Sequence, residues 1–323
     1  MSISKIEWTD RTWNPVRGCS RVSEGCRNCY AERFAARYSF DGQAFHGFAR
    51  FGASKREGGT ITNRPEWTGR VELIPEKLSE PLRWKKPARV FVNSMSDLFH
   101  ERLSIDAVAA VFGIMACAPM HTFQVLTKRP ARMRAFFDRI QSEPRFAMSV
   151  GLSVAPANYP HALNFPAVWP LPNVWLGVSV EDQATADERI PLLLQTPAAV
   201  RFVSYEPALG PVDFDRLVIP GGTMAPLYGK GLDWVIVGGE SGPGARPFAI
   251  EWARSTVRAC RAADVPVFVK QLGAEVRIDG PSDHVHFAGA FDPEKQFFPR
   301  LRDRKGGDPA EWPSDLRVRE FPR

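Results

Sequence analysis

The sequence predicts an α/β fold arranged as a (β/α) barrel of TIM type, partial or irregular. Three observations predict it. Strand-length apolar runs recur after residue 88, helical patterns separate most of them, and polar residues recur in phase at the strand ends. The runs are Arg89–Asn93, Thr122–Thr127, Asn173–Ser179, Val200–Ser204, Asp233–Gly238 and Pro266–Lys270. Each is rich in β-branched and aromatic residues, which fit a pleated, buried surface. The first helical pattern, Ser104–Ala118, opens on Ser104 as N-cap with Asp106 in its first turn. The second, Pro130–Gln141, opens on a proline suited to the first helical position. The third, Glu251–Ala263, is amphipathic. Strands alternating with helices imply parallel pairing, which leaves a barrel or an open doubly wound sheet.

The strand ends favour the barrel. Taking alternate residues as sharing a face, one set reads Phe91/Asn93, Val125/Thr127, Gly177/Ser179, Phe202/Ser204 and Ile236/Gly238. Two residues further in phase lie Met95, Arg129, Glu181, Glu206 and Glu240. An interior packed below and wet above is expected, with chemistry at the C-terminal rim. Residues 1–323 read as a single barrel domain. Within it, glycine-rich 40–70 is an insertion or lid, 207–232 an irregular crossover, and 274–323 a C-terminal extension packed on the barrel. Trp13, Trp175 and Trp234 are expected in the core.

The 323 residues are 44% hydrophobic, enough to bury a core, and carry a net charge of +6. A mild basic excess permits a nucleic-acid partner without demanding one. Met1–Asp10 has no apolar run of the signal-peptide kind, and Ala107–Ala118 is too short an apolar stretch to span a bilayer. A soluble, cytoplasmic protein with no membrane partner is therefore expected. The five cysteines are odd in number and three fall within eleven residues, the opposite of a disulfide framework.

Those three, Cys19, Cys26 and Cys29, form a C-x6-C-x2-C pattern. Thiolates select zinc or iron–sulfur centres. Gly18 and Gly25 let the loop bend and expose backbone N–H groups toward cluster sulfurs. A structural zinc site wants four ligands, and only the distant His46 offers a fourth. Three thiolates with an open position suit a [4Fe-4S] cluster. Cys117 and Cys260 sit in apolar helical patterns and read as core.

Several further residues are candidates. Asn93, Ser94, Ser96 and Asp97 end the strand after the cysteine loop, and their polar groups could hold a cofactor or cap a helix. Thr127, Lys128 and Arg129 place two cations at a strand end, suited to a carboxylate or phosphate. Ser179 and Glu181 are further cofactor-binding candidates. Tyr30, Arg129, Ser204, Glu206, Gly238, Gly239, Glu240 and Lys270 are substrate-binding or catalytic candidates. The acids could instead pair with Arg129 or Lys270, and Gly238–Gly239 could allow close approach of a ligand or simply make a tight turn.

The chain resembles the phage Gp37/Gp68-like family, also called three-Cys-motif or DUF5131 proteins. The matching stretches include Thr12–Cys19, Phe91–His100, Phe123–Pro130, Trp175–Glu181, Glu206–Pro211, Val235–Arg246 and Trp312–Arg319. A three-cysteine loop in a (β/α) barrel is also similar to the radical S-adenosylmethionine (radical SAM) enzymes. That similarity implies a cluster on Cys19, Cys26 and Cys29 whose open iron binds S-adenosyl-L-methionine. It further implies a 5′-deoxyadenosyl radical and an electron donor such as flavodoxin or ferredoxin. The substrate is open, with a nucleic acid or nucleotide as one class. This sequence departs from the commonest spacing, C-x3-C-x2-C. Asn28 stands where an aromatic often precedes the last cysteine, and Gly238-Gly239-Glu240 falls on a late strand. The alternative reading is a non-catalytic, metal-stabilised nucleic-acid-binding phage accessory protein. A metal-free hydrolase finds no nucleophile–His–acid arrangement among six histidines.

Overall fold

The computed structural model describes residues 4–55, 61–143, 145–146, 169–216, 231–278 and 299–322. The chain divides into two compact units, Met1–Trp175 with Thr196–Ala199, and Leu176–Gln195 with Val200–Arg323. The fold is mixed α/β, as the sequence predicts.

The first unit contains β1 (Arg11–Trp13), β2 (Val16–Arg17), α1 (Tyr30–Arg37), β3 (Ala49–Lys55), β4 (Ile61–Trp67), β5 (Glu72–Leu73), α2 (Pro75–Leu78), β6 (Arg89–Val92), α3 (Ile105–Cys117), β7 (Thr122–Thr127) and α4 (Pro130–Ser142). Its part of the main sheet runs in the order β1-β6-β7, with both pairs parallel. Ser104 caps α3 as expected, accepting from the Ala107 N–H at 3.2 Å. Helix α3 is apolar all round and buried along its length, and Phe112 packs against Phe99, Phe136 and Phe137. The stretch expected as an insertion holds an antiparallel hairpin, β3 with β4, packed on α1. Residues 56–60 of that stretch lie outside the described residues.

Strand β8 (Val174–Val180) begins as the first unit ends. The second unit continues with α5 (Gln183–Leu194), β9 (Val200–Tyr205), β10 (Trp234–Gly238), β11 (Phe248–Ala249), α6 (Ile250–Ala262), β12 (Val267–Gln271) and β13 (Val276–Arg277). Its sheet order is β8-β9-β10-β12, with β9–β10 and β10–β12 parallel. A capping box starts α5: Asp182 accepts from the Thr185 N–H, and the Thr185 hydroxyl oxygen accepts from the Asp182 N–H. Phe202, Trp234, Phe268 and Phe321 stack in succession at 5.4–6.1 Å between centroids. Of the three tryptophans expected in the core, Trp13 and Trp234 are fully buried and Trp175 is half-buried. Cys117 and Cys260 are buried, as expected.

One expectation is corrected, and a full barrel is not seen among the described residues. A closed barrel gives every strand two neighbours. Among the described residues, β1 pairs only with β6, and the outer edge of β12 is taken by the C-terminal segment. There Val269 N–H donates to Val318, Glu320 N–H donates to Val267, and Phe268 bridges Arg319 antiparallel. The residues read as an extension thus pair with the edge of β12. The in-phase set fails at β7. Phe91 is level with Gln124, so Val125 and Thr127 share a face with Val92 and Trp13 instead. The assignment holds in the second unit, where Ser204 is level with Ile236. The irregular crossover is observed over 207–216, with one 3-10 turn at Phe214–Arg216; 217–230 lie outside the described residues, as do 279–298 of the extension.

Gly177 on β8 has no room for a side chain: an added Cβ would lie 2.5 Å from Cζ of Phe202 on the neighbouring strand. Gly177→Ala should therefore destabilise the protein by about 1–3 kcal/mol through overpacking. This would be read as a lower urea midpoint at unchanged m, with partial recovery when Phe202→Leu is added. An unchanged midpoint in Gly177→Ala would contradict the packing described.

Candidate metal centre

Gly18 turns the chain out of β2 with φ +91°, and an added Cβ would fall 1.9 Å from the Arg70 carbonyl oxygen. Only glycine satisfies both constraints. Cys19 follows outside any strand or helix, Cys26 ends a 3-10 turn (Glu24–Cys26), and Cys29 is the N-cap residue of α1. The Cys29 N–H donates to the Cys26 carbonyl at 3.3 Å, so these two share one turn, as the C-x2-C spacing implies. All three thiols are half-buried and free.

The loop is anchored at both ends and in the middle. Gly18 bridges Ser96, the Ser96 hydroxyl donates to Val16 O at 3.0 Å, and the Tyr30 hydroxyl donates to Ser94 O. Glu32, buried on α1, takes Arg21 at 2.6 Å and the Trp67 N–H at 3.0 Å, tying the loop to β4. The central anchor is Arg129, 6% exposed. It donates to Ser20 O and Oγ at 3.2 and 3.0 Å, to Asp97 at 3.1 Å and to Glu101 at 2.8 Å. Asp97 also accepts from the Thr127 hydroxyl (2.7 Å) and from the N–H groups of Phe99 and Lys128. His100 Nδ1 accepts the Arg102 N–H at 3.1 Å, so its proton sits on Nε2, which donates to Ser20 Oγ at 2.8 Å. Burial, with the Arg129 cation beside it, holds the His100 pKa below its ordinary range.

Burial pushes the Cys19 thiol up to about 12, with the Asp97 carboxylate adding and the Arg129 cation opposing. Burial also raises Cys29, against which the N–H groups of Glu32 and Ala31 at the start of α1 pull it down without a hydrogen bond of regular geometry. Cys26 and Cys29 both add to the rise at Cys19, so the three thiols lie within electrostatic reach of one another. The donor chemistry fits a thiolate-ligated centre: three soft ligands on one loop, a cation and a helix start beside them. Among the described residues, no three His, Cys, Asp or Glu side chains are grouped closely enough to hold a metal ion.

The other sequence candidates fall into two groups, one in each unit. In the first, Asn93–Asp97 does lie against the cysteine loop. Asn93 has φ 60°, is buried, and leaves its Nδ2 without a partner among the described residues. The polar groups of Asp97, Thr127 and Arg129 are engaged within the protein, as are the Lys128 N–H and the Ser94 hydroxyl, which donates to Asn14. In the second unit, Glu181 is buried against Arg189 at 3.1 Å, and Glu240 holds Arg246 at 2.8 Å. Glu206 pairs with Lys270, the partner anticipated from sequence, and accepts from Gln271. Ser179 donates to Glu206 O at 3.1 Å, and Ser204 is buried. Gly239 is required by packing, since a Cβ there would meet Leu272 O at 2.5 Å; Gly238 is less crowded, at 3.3 Å from Gln271 O. Sequence reasoning missed Ser20, His100, Glu101, Arg189 and Arg246. His100 closes a stretch matched to the family, and Arg189 stands two helical turns past Glu181, the only local signals of either.

Fold and loop together define an α/β protein with a three-thiol loop set between a strand and a helix. The chain belongs to the family described as "Protein of unknown function (DUF5131)", which matches residues 3–303. No curated protein and no solved structure matches the chain.

A thiol lifted from 9.0 to about 12 carries about a thousandfold less thiolate at neutral pH. In metal-free protein at pH 8, Cys19 should be alkylated by iodoacetamide far more slowly than a free thiol, with a rate still rising above pH 10. Peptide-level mass spectrometry would follow it, and complete labelling of Cys19 within minutes at pH 7 would contradict this environment.

Proposed function

We propose that this protein is a radical SAM-like iron–sulfur enzyme with a [4Fe-4S] cluster on Cys19, Cys26 and Cys29. The observation that carries the reading is the anchored loop itself: three half-buried thiols on eleven residues, fixed through Ser20, Glu32 and Tyr30. When bound with S-adenosyl-L-methionine, such a cluster supplies one-electron cleavage of the cofactor to methionine and a 5′-deoxyadenosyl radical, the electron coming from a flavodoxin or ferredoxin.

The chain's own residues have definable tasks in this reading. Cys19, Cys26 and Cys29 give up their protons on ligation, so cluster assembly is pH-dependent and releases protons. Arg129 places a cation beside Cys19 and offsets part of the thiolate charge. The N–H groups at the start of α1 do the same at Cys29. Asn93 Nδ2, buried and without a partner among the described residues, keeps a free donor for a ligand oxygen. Three thiolates with no fourth cysteine in the loop favour this reading over a closed zinc site.

Anaerobic reconstitution should give brown protein with about four iron and four sulfide per chain, and Cys26→Ala should lose most of both. Dithionite with S-adenosyl-L-methionine should then release 5′-deoxyadenosine. Colourless protein that takes up zinc in place of iron would overturn the proposal.

A further inference from the structure

The net charge of +6 is concentrated in one stretch. Residues 17–70 hold ten Lys or Arg against five Asp or Glu, and nine of those ten cations are Arg. The same stretch carries every exposed Tyr and Phe among the described residues: Tyr30, Phe34, Tyr38, Phe40 and Phe51. Tyr30, Phe34 and Tyr38 recur at every fourth position, which aligns them on one face of α1 at steps of about 6 Å. The opposite face buries Ala31, Glu32, Ala35 and Ala36, so the core does not need the aromatic face.

Cations gather beside the exposed rings. Phe34 lies 4.6 Å from Tyr38 and packs 6.0 Å from the buried Phe45 between centroids. The Arg17 guanidinium covers Phe45 at 5.3 Å and Arg70 covers Phe48 at 4.6 Å, both rings being buried beneath them. Arg33 and Arg37 flank the aromatic face on α1, with Arg37 exposed. This surface begins at Tyr30, next to Cys29, and reaches Arg17, two residues before Cys19.

We infer that this face of α1, with the adjoining Arg17 and Arg70, is a docking surface for single-stranded nucleic acid. Exposed rings spaced along a helix offer stacking platforms to unpaired bases, every one of which has a π face. Guanidinium groups around them supply planar, charge-assisted contacts to phosphates. An acidic protein would match the charge alone. The inference does not rest on the cluster proposal, since no thiol belongs to the surface, and either can fail without the other.

The test is fluorescence anisotropy of the full chain with a labelled single-stranded DNA of about 20 nucleotides, at about 50 and 200 mM salt. Binding should weaken with salt. Phe34→Ala/Tyr38→Ala should weaken it on the order of tenfold or more at an unchanged salt slope. Arg33→Gln/Arg37→Gln, on the solvent side of the helix, should instead flatten the slope of log K against log salt by about 1.4. No anisotropy change at the lower salt would overturn the inference, as would binding that both variants leave intact. So would variants that lose affinity for an acidic flavodoxin while keeping the oligonucleotide.

Discussion

The contact between Arg129 and Asp97 organises the first unit around the cysteine loop. Both side chains are nine-tenths or more buried, and each offsets the charge that the other brings into the interior. Asp97 fills its acceptor capacity with Arg129, the Thr127 hydroxyl and two backbone N–H groups, which fixes the end of β6 against the end of β7. Arg129 spends its remaining donors on Glu101 and Ser20. One ion pair thus joins two strand ends to the residue that follows Cys19. Removing one partner of such a pair typically costs about 3–5 kcal/mol, because the survivor is left buried and uncompensated. A loop carrying three thiols and little regular structure depends on anchors of this kind.

The acids of the second unit are handled in the same way, each by its own cation. Glu181 with Arg189, Glu206 with Lys270 and Glu240 with Arg246 form three separate pairs. Polar residues at the ends of parallel strands are thereby neutralised in place. The three thiols of the cysteine loop, by contrast, are half-buried and free of disulfides.

Much of this was legible in the sequence, where local pattern carries the information. The apolar runs became strands within a residue or two, and Ser104, Pro130 and the alanine-rich stretch after Ser104 marked α3 and α4 correctly. The three cysteines announced themselves by spacing. What was not legible depends on contacts distant in sequence. Helix α1 is short and follows directly on Cys29, and its rings Tyr30, Phe34 and Tyr38, residues that usually mark a buried face, lie on the exposed one. The register that sets Gln124 beside Phe91 is fixed by pairing between strands, and parity within one strand says nothing of it. Nor could the run after Trp312 reveal that Val318–Glu320 would take the free edge of β12. Arg246 and Arg189 became partners of Glu240 and Glu181 through turns and helices that bring them back.

Amide hydrogen exchange on wild type and Arg129→Met tests whether Arg129 holds the cysteine loop in place. The variant should lose protection at least tenfold, confined to residues 18–30 and 94–101 (on the scale of local opening), with amides of β10 and β12 unchanged. Loop protection equal to wild type would contradict it, and so would a uniform loss across both units.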